Sequence, residues 1–159
     1  MLPPNTLQQR LNQVEERIQN AVARAGRNRS DVTLIAVTKK FPAPAILEAY
    51  ALGLRHFGEN YVQEWETKHP AVSSLSGAEF HLIGHLQSNK AAIAARLFQV
   101  IETVDSAKLA RRLNDASTPL EVMIEVKLSA EESKEGAAPE ELPALIDAIR
   151  ACPHLRLTG

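Results

Sequence analysis

Apolar residues recur at three- and four-residue steps through Leu7, Leu11, Val14, Ile18, Val22 and Ala25, so the chain opens on an amphipathic helix. Thr6 or Asn5 stands where a cap is needed, and Gly26 where a helix stops. Such a stripe is expected to lie on something larger. After a polar stretch, residues 32–38 are apolar or β-branched at nearly every position, the pattern of a parallel strand covered on both faces.

From there the pattern repeats as strand, loop, helix. Strands are expected near residues 56–59, 80–84, 100–104, 121–128 and 155–158. Helices are expected over 43–52 ending at Gly53, 61–68, 89–98 after a Ser88 cap, 108–116 after a Ser106 cap, and 139–151. Pro143 sits badly in the last of these, because it removes a backbone donor one turn in; that helix is expected to begin later or to bend.

Six strands alternating with helices imply a parallel sheet with helical crossovers, either an open doubly wound sheet or a closed barrel. A complete eight-unit barrel takes about 250 residues, so six units in 159 residues are a proportionate share. No Gly-x-Gly-x-x-Gly follows the first strand, which removes the main support for a dinucleotide-binding open sheet. The expected fold is therefore a TIM-type (β/α) barrel, incomplete, in one domain spanning 1–159: an N-terminal helix and linker over 1–30, then βα units one to six over 31–159. Leu155-Arg-Leu-Thr-Gly159 reads as a strand exit with no closing helix, so a piece of a longer product, or a truncated gene, is expected.

Composition narrows the partners. With 45% hydrophobic and 23% charged residues and a net charge of -1, the chain has no broad electrostatic reason to bind nucleic acid or an anionic membrane. One cysteine, Cys152, forbids an internal disulfide, and no metal-type Cys/His cluster is present, so no structural zinc site is expected. A reducing cytoplasm fits best, with no export signal or spanning segment in the pattern.

In barrels the working residues sit where strands exit. Five exits are polar here: Lys39 and Lys40; Glu59 and Asn60; His85, Gln87 and Asn89; Asp105 and Ser106; Lys127 and Ser129. Side chains alternate along a strand, so Lys39 and Lys40 must face opposite ways, and one of them meets the axis. A strand-end lysine is most often a solvated charge on an apolar stem. Partial removal from water instead disfavours the ammonium form, and a neutral amine attacks an aldehyde carbon. Asn60 is equally readable as a cap for the following helix, and Ser88 as a cap for its own. His81, within a strand, reads as a satisfied interior or helix-facing histidine. Cys152, beside Pro153, reads as inert.

Three blocks in order, Leu34-Ile-Ala-Val-Thr-Lys39, Phe57-Gly-Glu-Asn-Tyr-Val-Gln-Glu64 and Phe80-His-Leu-Ile-Gly-His-Leu-Gln-Ser-Asn-Lys90, resemble successive signatures of the pyridoxal phosphate homeostasis protein family. Glu125-Val-Lys-Leu-Ser129 with Glu132-Ser-Lys-Glu-Gly136, and Leu155-Arg-Leu-Thr-Gly159, are similar to its later segments, so the resemblance covers nearly the whole chain. It implies a barrel akin to the alanine racemase N-terminal domain, with pyridoxal 5'-phosphate (PLP) held as a Schiff base on Lys39 and Asn60 close to the cofactor. Gln87 and Asn89, with Ser88, match a further family block, as do Lys134 and Gly136; His85 falls where the family varies.

The resemblance further implies a non-catalytic carrier serving intracellular PLP homeostasis, with PLP-dependent apoenzymes as recipients. It places the phosphate-binding groups after strands seven and eight, which this chain does not include. A racemase or decarboxylase of the alanine racemase type, or an inactive remnant, is the competing expectation.

Overall fold

The computed structural model describes residues 6–129 and 135–159. Helix α1 spans Leu7–Arg24, and β1 Ile35–Val37 follows; then come α2 Ala43–Ala51, β2 His56–Glu59, α3 Val62–Val72, β3 Glu79–Leu82, α4 Ala91–Leu97, β4 Val100–Val104, α5 Ala107–Asn114, β5 Leu120–Ile124, α6 Leu142–Arg150 and β6 Leu155–Leu157. The six strands lie side by side in chain order. Each neighbouring pair is parallel and, from β1 onward, joined by a helix. This is the wall of a (β/α) barrel in six consecutive units; among the described residues β1 and β6 do not pair.

Local chemistry explains the boundaries. Thr6 caps α1 through a reciprocal box: its hydroxyl accepts from the Gln9 N–H at 3.2 Å while the Gln9 amide oxygen accepts from the Thr6 N–H at 2.9 Å. Gly26 then turns the chain out at φ +64°. The Pro143 difficulty resolves by a late start. A 3-10 turn, Pro139–Glu141, precedes α6, and Pro143 falls in its first turn, where no donor is needed. Helix α3 runs on past Pro70 to Val72, beyond the end expected for it.

The two faces of the sheet differ. On the helix side, Phe57, Trp65, Phe80 and Phe98 are buried together, with Trp65 4.5 Å from Phe80 and 5.7 Å from Phe98 between ring centres. The indole N–H donates to the Leu97 carbonyl at 3.0 Å, so its one polar atom is satisfied. On the axis side stand Ile35, His56, Gly58, His81 and Ile83. A β-carbon at Gly58 would come within 2.9 Å of Ile83 and 3.1 Å of Ile35, so a glycine lets these neighbours meet.

Two expectations of burial are corrected. β1 is not covered on both faces: Val37 on the axis side is 47% exposed, and among the described residues β1 pairs with β2 alone. Helix α1 is less covered than its stripe suggested, with Val22 its one buried residue and Val14 37% exposed. It is tied down partly by a two-pronged ion pair from Arg29 to Glu15, at 2.7 and 2.8 Å. Strand β5 ends at Ile124, earlier than the 128 expected, and the chain beyond keeps a single bridge from Val126 to Ala137.

Because Trp65 ties α3 to β3 and α4, Trp65→Ala should cost about 3–5 kcal/mol of unfolding free energy in urea titration. A loss below about 1 kcal/mol would show that this aromatic cluster does not hold the helices to the sheet.

Candidate functional site

The exit of β1 is set by what lies under it. Thr38, one residue past the strand, still donates its N–H to the Gly58 carbonyl at 2.9 Å. Its side chain turns to the helix side, where the hydroxyl donates to Glu59 Oε1 at 2.7 Å and is buried. Alternation then puts Lys39 on the axis side with Ile35 and Val37. The turn closes when the Phe41 N–H donates to the Thr38 carbonyl at 3.0 Å, with Lys40 left-handed at φ +64°. Lys40 is exposed and Lys39 half-buried, and among the described residues the Lys39 amine has no hydrogen-bond or ion-pair partner.

Beneath this turn is a buried pair that sequence reading missed in part: Glu59 was legible as an exit residue, Lys68 was not. Glu59 has no exposed surface. Lys68 Nζ reaches both its carboxylate oxygens, at 2.9 and 3.1 Å, together with the Thr38 carbonyl at 3.0 Å and Glu64 Oε1 at 2.5 Å. Glu64 also accepts the Lys40 backbone N–H at 2.5 Å. Burial alone would raise the Glu64 carboxyl, but the Lys68 hydrogen bond, the Lys40 N–H and the two lysine charges outweigh it and hold it below the usual carboxylate range.

A buried charge stripped of its partner costs about 3–5 kcal/mol, whereas replacing both partners is often neutral. Lys68→Met should therefore destabilise by about that amount, and Glu59→Gln with Lys68→Met should recover most of it in urea titration. Equal losses in the single and double variants would mean that the pair is not coupled.

Asn60 follows Glu59 at the β2 exit. The cap expectation fails: the N-cap of α3 is Tyr61, and no side chain serves there. The Asn60 Oδ1 atom is instead buried without a hydrogen-bond partner. Two residues beyond the Val37 and Gly58 pair on their respective strands stand Lys39 and Asn60, so the two residues sit level at neighbouring strand exits. The β3 exit presses on the same point, since a β-carbon at Gly84 would lie 2.4 Å from the Asn60 carbonyl.

A cavity lined by Asn60, Gly84, His85, Gln87 and Lys90 brings Gln87 beside Asn60, although Lys39 is not part of its lining. Asn89 lines a different groove, with Ser88, Lys108 and Arg112. Ser88 is not a cap either. It lies in the 3-10 turn Ser88–Lys90, and α4 begins after Lys90 rather than at residue 89. Ser106 does cap α5, accepting from the Leu109 N–H at 3.3 Å.

Glu125, just past β5, is a second residue that the sequence did not single out. One carboxylate oxygen is buried without a partner. Burial pushes its carboxyl up, the charges of Glu135 and Asp105 push it further, and His85 opposes them; His85 itself pairs with Glu135. A carboxyl whose folded value is raised binds its proton better in the native state, so it costs stability progressively as pH rises through the shifted range. Glu125→Gln should thus raise the melting temperature at pH 7 and lose that advantage as pH falls toward 4; an advantage independent of pH would contradict the assignment. Lys134 lies outside the described residues. Gly136 adopts φ +109° against the backbone of Val126 and Lys127. Cys152 is buried, and burial pushes its thiol up, away from reactivity.

Comparison with known proteins places these features in context. Residues 9–159 match the family described as alanine racemase, N-terminal domain. The pyridoxal phosphate homeostasis protein of Pseudomonas aeruginosa is 43% identical over 98% of this chain and 69% of its own length. That of Escherichia coli K12 is 43% identical over the same shares. The structure of PipY from Synechococcus elongatus with PLP bound superposes with a TM-score of 0.76 at 36% identity, covering 89% of this chain and 68% of that one. Alanine racemase from Corynebacterium glutamicum, at 19% identity and a TM-score of 0.61 over 80% of this chain and 37% of its own, shares the fold. Among the described residues no helix is long and apolar enough to cross a membrane.

Proposed function

We propose that this chain, which belongs to the pyridoxal phosphate homeostasis protein family, binds pyridoxal 5'-phosphate at its strand exits and holds it as a Schiff base on Lys39. The observation that carries this reading is the half-buried, unpartnered Lys39 past β1, level in register with Asn60 past β2, whose Oδ1 is buried and orphaned. A lone buried oxygen is costly unless something satisfies it, and a donor brought by a ligand would do so.

The cofactor supplies an electrophilic aldehyde, and the residues here supply its surroundings. Lys39 would provide the attacking nitrogen as the free amine, and the carbonyl oxygen would leave as water. Asn60 would accept or donate beside it, and Gln87, which shares a cavity with Asn60, would approach from the β3 exit. The Glu59 and Lys68 pair acts by position: it pins Thr38 on the helix side, which keeps Lys39 turned inward.

The same reading makes the protein a carrier rather than a catalyst, one that captures PLP in the cytoplasm and yields it to PLP-dependent apoenzymes. The names of the close relatives support homeostasis, while the racemase likeness supports fold alone.

Titration of the purified chain with PLP should develop the absorbance of a protonated imine, and Lys39→Ala should abolish it. Asn60→Ala should weaken the apparent affinity about fivefold to thirtyfold, the equivalent of a 1–2 kcal/mol polar contact. An unchanged spectrum in Lys39→Ala would refute the assignment, and turnover of either alanine enantiomer would refute the carrier role.

A further inference from the structure

The axis face carries a second cluster, at the opposite end of the strands from Lys39. His56 opens β2 and Glu79 opens β3, and the two are paired in register; His81 stands two residues along, beside Gly58. His56 Nδ1 lies 3.1 Å from His81 Nε2 and 3.5 Å from a Glu79 carboxylate oxygen. All three ligand atoms fall within 4.8 Å of one another.

The His81 ring is already oriented. Its Nδ1 lies 2.7 Å from Glu102 Oε1 on β4. An ionised carboxylate only accepts, so Nδ1 is the donor, and in the neutral ring Nε2 then presents its lone pair toward His56. A carboxylate behind a histidine whose other nitrogen faces two further donors is the usual outer support of a metal-bound imidazole. His81 is buried, while the His56 and Glu79 side chains are 31% and 48% exposed, so the cluster is fixed on one side and reachable on the other.

We propose that His56, Glu79 and His81 bind one divalent ion of the zinc class, with Glu102 orienting His81. Four-coordinate zinc with bonds near 2.0–2.1 Å places neighbouring ligand atoms about 3.3 Å apart, and the two short separations here bracket that spacing. Two imidazoles and one carboxylate select a transition ion over calcium or magnesium, which prefer all-oxygen shells. The fourth position is left to water. No local motif marks this cluster, because no cysteine takes part and the ligands come from two separate strands. Without a metal, His81 bridges Glu102 and His56 by hydrogen bonds while Glu79 stands 3.5 Å from the same His56 nitrogen, and the test separates the two.

Zinc chloride is titrated into the purified chain by calorimetry, with cobalt substituted in parallel. One ion should bind per chain at micromolar concentration or below, and cobalt should give the visible bands of a four-coordinate site. His56→Gln and Glu79→Gln, both at half-exposed positions and checked for folding by circular dichroism, should each weaken zinc by at least about tenfold; Glu102→Gln should weaken it about 10–100-fold. No saturable binding by the parent chain would overturn the proposal. Binding that survives both His56→Gln and Glu79→Gln unchanged would overturn it equally, since the ion would then sit elsewhere.

Discussion

The contact on which the rest of the mouth depends is the buried ion pair between Glu59 and Lys68. Two charges taken out of water are tolerated only when nearly every donor and acceptor is used, and here the Lys68 ammonium contacts two carboxylates and a backbone carbonyl, while Glu59 also accepts from Thr38. The carbonyl and the hydroxyl both belong to Thr38. A pair on the helix side of the sheet therefore decides where β1 stops, which way its next residue turns, and how the loop before α2 is closed. Glu64 adds the Lys40 N–H to the same network, so the left-handed Lys40 is held from below.

This arrangement divides labour between the two faces. The helix side is sealed by the aromatic cluster around Trp65 and gains its stability from apolar burial. The axis side holds His56, His81 and Glu102 along its length and Lys39, Asn60 and Glu125 at its exits. Polar atoms left unsatisfied there, on Asn60 and Glu125, are the ones an incoming ligand can pair. A barrel wall commonly places chemistry at the strand exits and stability away from them; the histidine cluster at the strand starts departs from that division.

Much of the fold was legible because strand and helix periods alternate cleanly: β2 and β4 fall where the pattern put them, and Thr6, Gly26 and Ser106 act as boundaries for the reasons their chemistry gives. The misses share a cause. Ser88 and Asn60 were readable as caps because capping is a local propensity, but the 3-10 turn after Gln87 and the start of α3 at Val62 place other residues in those positions. Lys68 looks like an ordinary surface lysine on an amphipathic helix until β2 is folded beneath it. His56 and Glu79 look unrelated until two strands come into register. Pairings of this kind are properties of tertiary contact, and no local window contains them. Alternation at the end of an apolar strand left Lys39 and Lys40 both open, and the family resemblance singled out Lys39.

The central claim is that one particular nitrogen takes the cofactor. The most direct measurement is borohydride reduction of the PLP-loaded chain, followed by proteolysis and fragment sequencing that resolves Lys39 from its neighbour Lys40. A pyridoxyl mass on Lys39 alone is the outcome this account requires; a mass on Lys40, on a lysine elsewhere, or on none would contradict it.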